Sequence, residues 1–418
     1  MTTDLIELLR PESISDKPTI GLHLMVKNGA SVVGRLLDNV GPYITEVFVV
    51  LNDCTDDTYA VLAEGCRRHK IGLGVVAVTA ENHPDLYIMD VSETYQVGYS
   101  LVDEVLPGPF TGRPLLADWA AARNTGWGLG NAKWRLFLDA DDVVDDPECL
   151  PGLCRLLDER GLDVASSRYH YDHSARGESR AYAFRERLCR NVSQIHWIGR
   201  MHEILTGYDS RKVAHIDGNL VVRDRRDSTG AGIRVPDRNL KVLYHWARSV
   251  NWKIGPRAML YLAAEARVGM PKLAQKLLLD YLEVSTWAEE RAWARSMLGE
   301  MAEQTERYGV ASSSYEEALD EYPGVANALR LCRSRFHEGR WTDVVAAHDL
   351  ALRNRVYPQL LDGSEILEDA TKLLVVGALR KLGRTTEARE MCRGMMARFP
   401  RSAPIAEMMQ KLEARGIG

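Results

Sequence analysis

Between Thr19 and Val78, short apolar runs alternate with segments of helical period, and this alternation narrows the possible folds more than any other feature. Thr19–Val26 (TIGLHLMV) is apolar and stops at Lys27-Asn28-Gly29, as a strand followed by a turn does. Ala30–Val40 then spaces Val32, Val33, Leu36, Leu37 and Val40 along one helix face. Glu46–Leu51 reads as a second strand and Asn52–Thr58 as a loop rich in helix-capping residues. Asp57–His69 continues as a helix and Leu73–Val78 as a third strand. A β-α-β-α-β succession predicts a mainly parallel sheet with helices packed on its faces.

The segment Ala80–Pro114 breaks the pattern with Pro84, Pro107, Gly108, Pro109 and Pro114, and is expected to mix a strand with long loops. Leu116–Gly128 reads as a helix, Lys133–Leu138 as a strand, Pro147–Gly161 as a helix and Asp163–Thr206 as strand-rich. After Pro236 the character changes. From Arg238 onward the pattern is of amphipathic helices in pairs: Pro256–Val268, Lys272–Val284, Ala288–Tyr308, Ser313–Tyr322, Val325–Glu338, Thr342–Asn354, Glu365–Leu382 and Thr385–Phe399. The turns Gly339-Arg340-Trp341 and Gly383-Arg384-Thr385 give these pairs the look of degenerate tetratricopeptide repeats. Such pairs cannot bury their apolar faces alone and stack into a solenoid. The division expected is a tail over 1–18, an α/β domain over 19–235 and an all-α domain over 236–418.

Composition excludes several classes. Of 418 residues 45% are hydrophobic and 27% charged, a globular balance. The formal net charge is −5, so the chain-wide basic footprint of a nucleic-acid binder is absent. The longest apolar stretches, Glu46–Leu51 and Leu373–Leu379, fall far short of the roughly 20 residues a membrane helix needs, so no span is expected. The N-terminus is polar and acidic, without a secretory pattern. Seven cysteines are scattered with no CxxC, which suits reduced thiols and a cytoplasmic location better than disulfides or zinc.

Three segments carry chemistry. The apolar run Leu136-Phe137-Leu138 ends in Asp139-Ala140-Asp141-Asp142. Carboxylates at the end of a parallel strand lie where ligands of open α/β sheets bind. They suit Mg²⁺ or Mn²⁺, which in turn hold phosphate oxygens; taken alone, the same residues also read as a solvated acidic loop. Val47–Thr58 (VFVVLNDCTDDT) ends a strand in polar residues able to face a base or ribose, or simply to cap the following helix. Arg187–Asn191 (RLCRN) is followed by Trp197–Glu203 (WIGRMHE), where His202 could ligate a metal and Glu203 could move a proton. An ordinary polar contact is the bland reading of that pair.

In this order the motifs resemble family 2 glycosyltransferases of the GT-A fold. The "vKNE"-like turn is Met25-Val26-Lys27-Asn28-Gly29, and the "VVDxGSTDxT" segment is Val49–Thr58. The "DFaaARN" helix is Asp118-Trp119-Ala120-Ala121-Ala122-Arg123-Asn124, and "lFLDADe" is Phe137–Asp142. The subgroup's "RlfRN…g.vHE" falls at Arg187–Asn191 and Gly199–Glu203, and tetratricopeptide-like helices often follow the catalytic domain of that subgroup. The resemblance covers roughly Thr19 to Gly207. Two positions depart from it: Leu51 stands where an acidic residue usually meets the base, and Gly29 stands where a Glu is usual.

The resemblance implies a nucleotide-diphospho-sugar transferase: a Rossmann-like, mainly parallel sheet followed by an all-α repeat domain. It implies that Met25, Val26, Lys27, Asn52, Asp53, Arg123, Asp139, Ala140 and Asp141 hold the nucleotide sugar, and that Asp139, Asp141 and His202 bind Mn²⁺ or Mg²⁺. The activity implied is metal-dependent, inverting transfer of a hexose, with a UDP-sugar as first choice of donor and Glu203 or Asp142 as the base. A concave helical array suits a protein or peptide acceptor, or pairing of two copies into a homo-oligomer. The alternative is a scaffold whose helices bind a partner and whose α/β domain is inactive. A nucleotidyltransferase fits less well, because Gly29 stands alone after the first strand.

Overall fold

The computed structural model describes residues 18–88, 114–173, 179–224, 238–353 and 364–414. The expected tail and most of the Ala80–Pro114 segment therefore lie outside the described residues. Twelve strands are seen among them: β1 (Ile20–Val26), β2 (Glu46–Asn52), β3 (Gly72–Val78), β4 (Tyr87–Ile88), β5 (Leu115–Leu116), β6 (Trp134–Phe137), β7 (Asp142–Val144), β8 (Val164–His173), β9 (Ser179–Arg190), β10 (His196–Ile198), β11 (Ile204–Thr206) and β12 (Val213–Asp224). Four helices accompany the early strands: α1 (Val33–Val40), α2 (Thr58–His69), α3 (Trp119–Trp127) and α4 (Leu150–Glu159). Ten more follow: α5 (Arg238–Ser249), α6 (Pro256–Ala266), α7 (Pro271–Val284), α8 (Ala288–Glu303), α9 (Tyr308–Glu321), α10 (Val325–His337), α11 (Trp341–Arg353), α12 (Ser364–Lys381), α13 (Thr385–Arg398) and α14 (Ala403–Glu413).

The main sheet has eight strands in the order β3-β2-β1-β6-β9-β8-β12-β7. β3, β2, β1 and β6 are parallel, as the alternation predicts, and the β6–β9 and β12–β7 pairs are antiparallel. The chain leaves β1 towards β2 and β3, then returns to add β6 on the other side. A ligand crevice of an open α/β sheet lies at such a switch point, outside the carboxyl ends of the strands.

Period-two alternation sorts the side chains into layers. Ile20, Leu22, Leu24 and Val26 of β1 join Val47, Val49, Trp134 and Leu136 in a core against α1, α2 and α4. The opposite residues face α3: Met25 and Val50 pack with Ala122, while His23 lies against Phe48 and Trp127. Burial holds the His23 imidazole at about 3, so it stays neutral in this apolar layer.

Two compact units result, residues 1–172 with 182–270 and residues 173–181 with 271–418. The helices α5 and α6, which follow the composition change at 236, thus group with the α/β sheet. The second unit is built of helix pairs with repeated turn geometry. Gly339 and Gly383 have φ of 75° and 76°, and Glu306 takes the same conformation at 57°. After each comes an arginine whose N–H reaches back five residues: Arg307 to Ala302, Arg340 to Arg335 and Arg384 to Leu379. Four residues beyond each arginine sit Ala311, Val344 and Ala388, all fully buried. The step from Glu306 to Gly339 is 33 residues, close to the ~34 of a tetratricopeptide repeat, and that from Gly339 to Gly383 is 44.

Candidate active site

The carboxyl ends of β1, β2 and β6 bring three loops together. After β1, Asn28 turns with φ of 51°, and its side-chain oxygen accepts from the Thr55 N–H at 2.7 Å. The Asn28 N–H donates to Cys54 Sγ at 3.3 Å, and Cys54 in turn donates to the Val26 carbonyl. The first two loops are thus stitched to each other by short-range polar contacts. Gly29 is forced by space: a Cβ there would come 2.5 Å from Val26 Cγ1, so neither Glu nor Ala fits without movement. Lys27 Nζ lies 3.4 Å from Asp53 Oδ2, and both side chains are open to solvent.

Several of the expected nucleotide-binding side chains point into the fold. Val26 packs in the core, Ala140 packs against it, and Met25 is half-buried beneath α3. Asn52 is buried, and the Tyr87 hydroxyl lies 2.6 Å from its side-chain oxygen and 2.9 Å from the Val78 carbonyl. Of the expected set, Lys27, Asp53, Asp139 and Asp141 keep partly exposed side chains.

The Asp139–Asp142 turn is closed from within. Asp142 N donates to the Asp139 carbonyl at 3.0 Å, and Asp139 N donates back to Asp142 Oδ2 at 2.8 Å. The second Asp142 oxygen accepts from the Tyr169 hydroxyl at 2.7 Å. Asp142 is fully buried. Its carboxyl is pushed up to about 8, chiefly by burial, with Arg187 opposing and Asp139 adding to the rise. The Arg187 guanidinium sits 3.8 Å from Asp139 and 3.9 Å from Asp142, over the rings of Phe137 and Tyr169. Asp141 is half-buried, and its backbone carbonyl accepts from Arg35 at 3.2 Å.

Arg123 is the hub. It leaves the second turn of α3, whose N-terminus is capped by Asp118 accepting from Ala121 N. Only 9% exposed, its guanidinium lies over Phe137 at 4.3 Å and Trp197 at 5.4 Å. Its Nε donates to Glu203 at 2.6 Å and its Nη2 lies 3.5 Å from Asp139. Its Nη1 is buried without a hydrogen-bond partner among the described residues. A buried guanidinium with a spare donor is costly unless something accepts from it.

Glu203 reaches Arg123 from the loop between β10 and β11. That hairpin is tied to α3 by Asn124, whose amide donates to the Trp197 carbonyl at 2.8 Å and accepts from the Trp197 N–H at 3.0 Å. Trp127 Nε1 adds a bond to the Ile195 carbonyl at 2.8 Å. His202, beside Glu203, turns the other way. Its ring stacks on Tyr261 at 4.1 Å and its Nε2 lies 3.5 Å from Glu265 Oε1, both on α6. Among the described residues no group of three His, Cys, Asp or Glu is gathered as a metal site. Arg123 brings Asp139 and Glu203 together, while His202 faces α6.

Asn124, Trp197 and Arg187 stand within or beside the motifs read from the sequence, yet their tasks are visible only in the contacts. Tyr261 and Glu265 carry no sequence signal beyond an i, i+4 spacing on a helix.

Residues 116–226 match the family model described as Glycosyl transferase family 2. No curated protein matches the chain. Among solved structures, TarS 1–349 of S. aureus is 12% identical over 82% of this chain and 96% of its own, with a TM-score of 0.32. The Cut9–Hcn1 hetero-tetramer of the APC/C is 12% identical over 42% of this chain, which spans only 32% of the matched one, with a TM-score of 0.32. Glucosyl-3-phosphoglycerate synthase from Mycobacterium tuberculosis, in complex with Mg²⁺ and UDP, is 18% identical over 36% of this chain and 44% of its own, with a TM-score of 0.22. At such scores these similarities carry no argument about function.

Proposed function

We propose that this chain, whose residues 116–226 match the Glycosyl transferase family 2 model, is a glycosyltransferase that moves a sugar from a nucleoside diphosphate to an acceptor hydroxyl with inversion. The observation that carries this reading is Arg123: a nearly buried cation beside Asp139, with one donor unused. A diphosphate oxygen would satisfy that donor, and a guanidinium already in place stabilises the charge that builds on a departing phosphate without reorganising.

The Asp139 and Asp141 carboxylates are hard oxygen donors at the switch point and suit Mg²⁺ or Mn²⁺. Two protein carboxylates leave further coordination positions to phosphate oxygens and water. When bound, the cation would neutralise phosphate charge as a Lewis acid. His202 is engaged by α6 and stands apart from that pair in this arrangement.

The acceptor hydroxyl must lose a proton to a group within about 3 Å. Both Asp142 oxygens are occupied, and its carboxyl holds its proton up to about 8, so it is a poor acceptor at neutral pH. Glu203 presents a carboxylate on a loop beside the Arg123 hub and is the base in this reading. Asp142 instead shapes the turn that carries Asp139 and Asp141. The donor is a UDP-sugar in the first instance, with Lys27 and Asp53 at the rim of the nucleotide site. The acceptor is a polypeptide, for which the helix pairs of the second unit provide a surface.

The test is a panel of UDP-, GDP-, TDP- and CMP-sugars, each with and without Mn²⁺, read by thermal shift and by release of nucleotide. Metal-dependent stabilisation and turnover with one donor are expected, about 2.7 kcal/mol at 100 times the dissociation constant. No shift and no release with any donor would return the chain to the scaffold reading.

A further inference from the structure

The loop that carries Glu203 is bounded on two sides by different parts of the first unit. On one side stands α3: Trp119 N donates to the Arg200 carbonyl at 2.8 Å, and Arg200 Nε lies 3.4 Å from Asp118. On the other stand α5 and α6. The Arg200 guanidinium lies 5.7 Å from the Trp246 ring, and His202 stacks on Tyr261 with an interplanar angle of 16°. Glu265 is itself fixed, accepting from the Asn239 amide at 3.0 Å, and His202 heads the causes that hold its carboxyl below the usual range. Arg257 donates to the Tyr261 hydroxyl at 3.2 Å and lies over the same ring.

The backbone at His202 is left-handed, with φ of 54°. A residue with a Cβ holds that conformation only where its surroundings over-determine it, and such residues cluster at functional sites. At this turn the two adjacent side chains lie on different neighbours, His202 on α6 and Glu203 on Arg123 at 2.6 Å.

We infer that Tyr261 and Glu265 of α6 are positioning residues of the active site, holding His202 in its left-handed turn and thereby aiming Glu203. The inference rests on the reading of Glu203 as the base. It makes α6, which lies beyond residues 116–226, part of the catalytic unit. Catalytic groups need support of this kind, because misplacement by about 1 Å can cost 100-fold in rate.

The experiment compares the full chain with Glu265→Gln, Tyr261→Phe and the double variant Tyr261→Ala/Glu265→Ala. Two readouts are taken: kcat and donor KM for nucleotide release, and amide exchange of residues 199–205. The double variant should lose tenfold or more in kcat with donor KM within twofold. Exchange in 199–205 should quicken at least tenfold while the sheet strands keep their protection. Tyr261→Phe, which retains the stack, should stay within twofold on both readouts. Glu265→Gln is isosteric, serves if the double variant does not fold, and should show a smaller change of the same kind. Unchanged kcat with unchanged exchange in the double variant overturns the inference. So does a kcat loss that Tyr261→Phe shares. If the wild-type chain turns over no donor, the glycosyl-transfer reading fails, and the exchange data alone still decide whether α6 holds the loop.

Discussion

Asn124→Ala isolates the joint between α3 and the hairpin that carries Glu203. The side chain makes two reciprocal bonds to Trp197, a residue only 6% exposed, at 2.8 and 3.0 Å. Truncation leaves one buried N–H and one buried carbonyl unpaired, each costing roughly 1–3 kcal/mol. A total of about 2–6 kcal/mol falls on strands of three residues each, which lack a ladder of their own large enough to absorb it. Because the chain has two compact units, a single global melting point would blur the effect. Amide exchange resolves it locally. At about 1.4 kcal/mol per decade, exchange over 196–198 and 204–206 should accelerate by roughly 30-fold at the least and up to about 20,000-fold, while β1 and β2 change little. Nucleotide release should fall as the Arg123–Glu203 pair loosens. Exchange within threefold of wild type at the hairpin would refute the assignment of Asn124 as its anchor.

Other outcomes follow from the same geometry. Asp141→Ala should abolish turnover while leaving far-UV circular dichroism and melting intact; substantial turnover would remove Asp141 from the cation site. Asp142→Asn should retain most activity, because the amide can still accept from Asp139 N and meet the Tyr169 hydroxyl. The folded Asp142 carboxyl titrates near 8, well above its ordinary 3.8, so the native state holds a proton that the unfolded state releases. Stability should therefore decline between about pH 4 and 8, by at most about 1.4 kcal/mol per unit, and Asp142→Asn should flatten that slope in urea titrations. Gly29→Ala drives a Cβ to 2.5 Å from the buried Val26 and should cost about 1–3 kcal/mol, recovered in part by Val26→Ala in denaturant unfolding. Glu306→Gly should raise the stability of the helical unit by about 1 kcal/mol, and Gly383→Ala should lower it by a similar amount, since open space surrounds Gly383 and only its φ of 76° matters.

The parallel half of the sheet was legible because its strands are short apolar runs and each intervening helix repeats at 3.6. The other half was legible only as the strand-rich stretch Asp163–Thr206, which holds β8 to β11, and β7 and β12 were missed. β7 is three residues long and directly follows the acidic turn, and β12 joins the sheet with a register shift between Ile216 and Val221. The repeat spacing was obscured by Glu306, which occupies the left-handed turn where glycine stands in the next two repeats. The helix α14 is not among the runs read from the sequence; it opens at Ala403-Pro404 just after Phe399.

The sequence by itself determined the alternating α/β order, the helix pairs after residue 236 and the identity of the charged residues at the strand ends. Those follow from periodicity and local turn chemistry, which act over a few residues. Only the tertiary structure decided what those residues face. Asp142, adjacent to Asp141 in the chain, is buried with its carboxyl accepting from Tyr169, while Asp141 is half-buried. His202 and Glu203 are neighbours in the chain, yet one packs on α6 and the other on Arg123. Arg123 and Glu203 meet at 2.6 Å although 80 residues separate them. Burial and partner choice at these positions depend on long-range packing, and no local pattern encodes them.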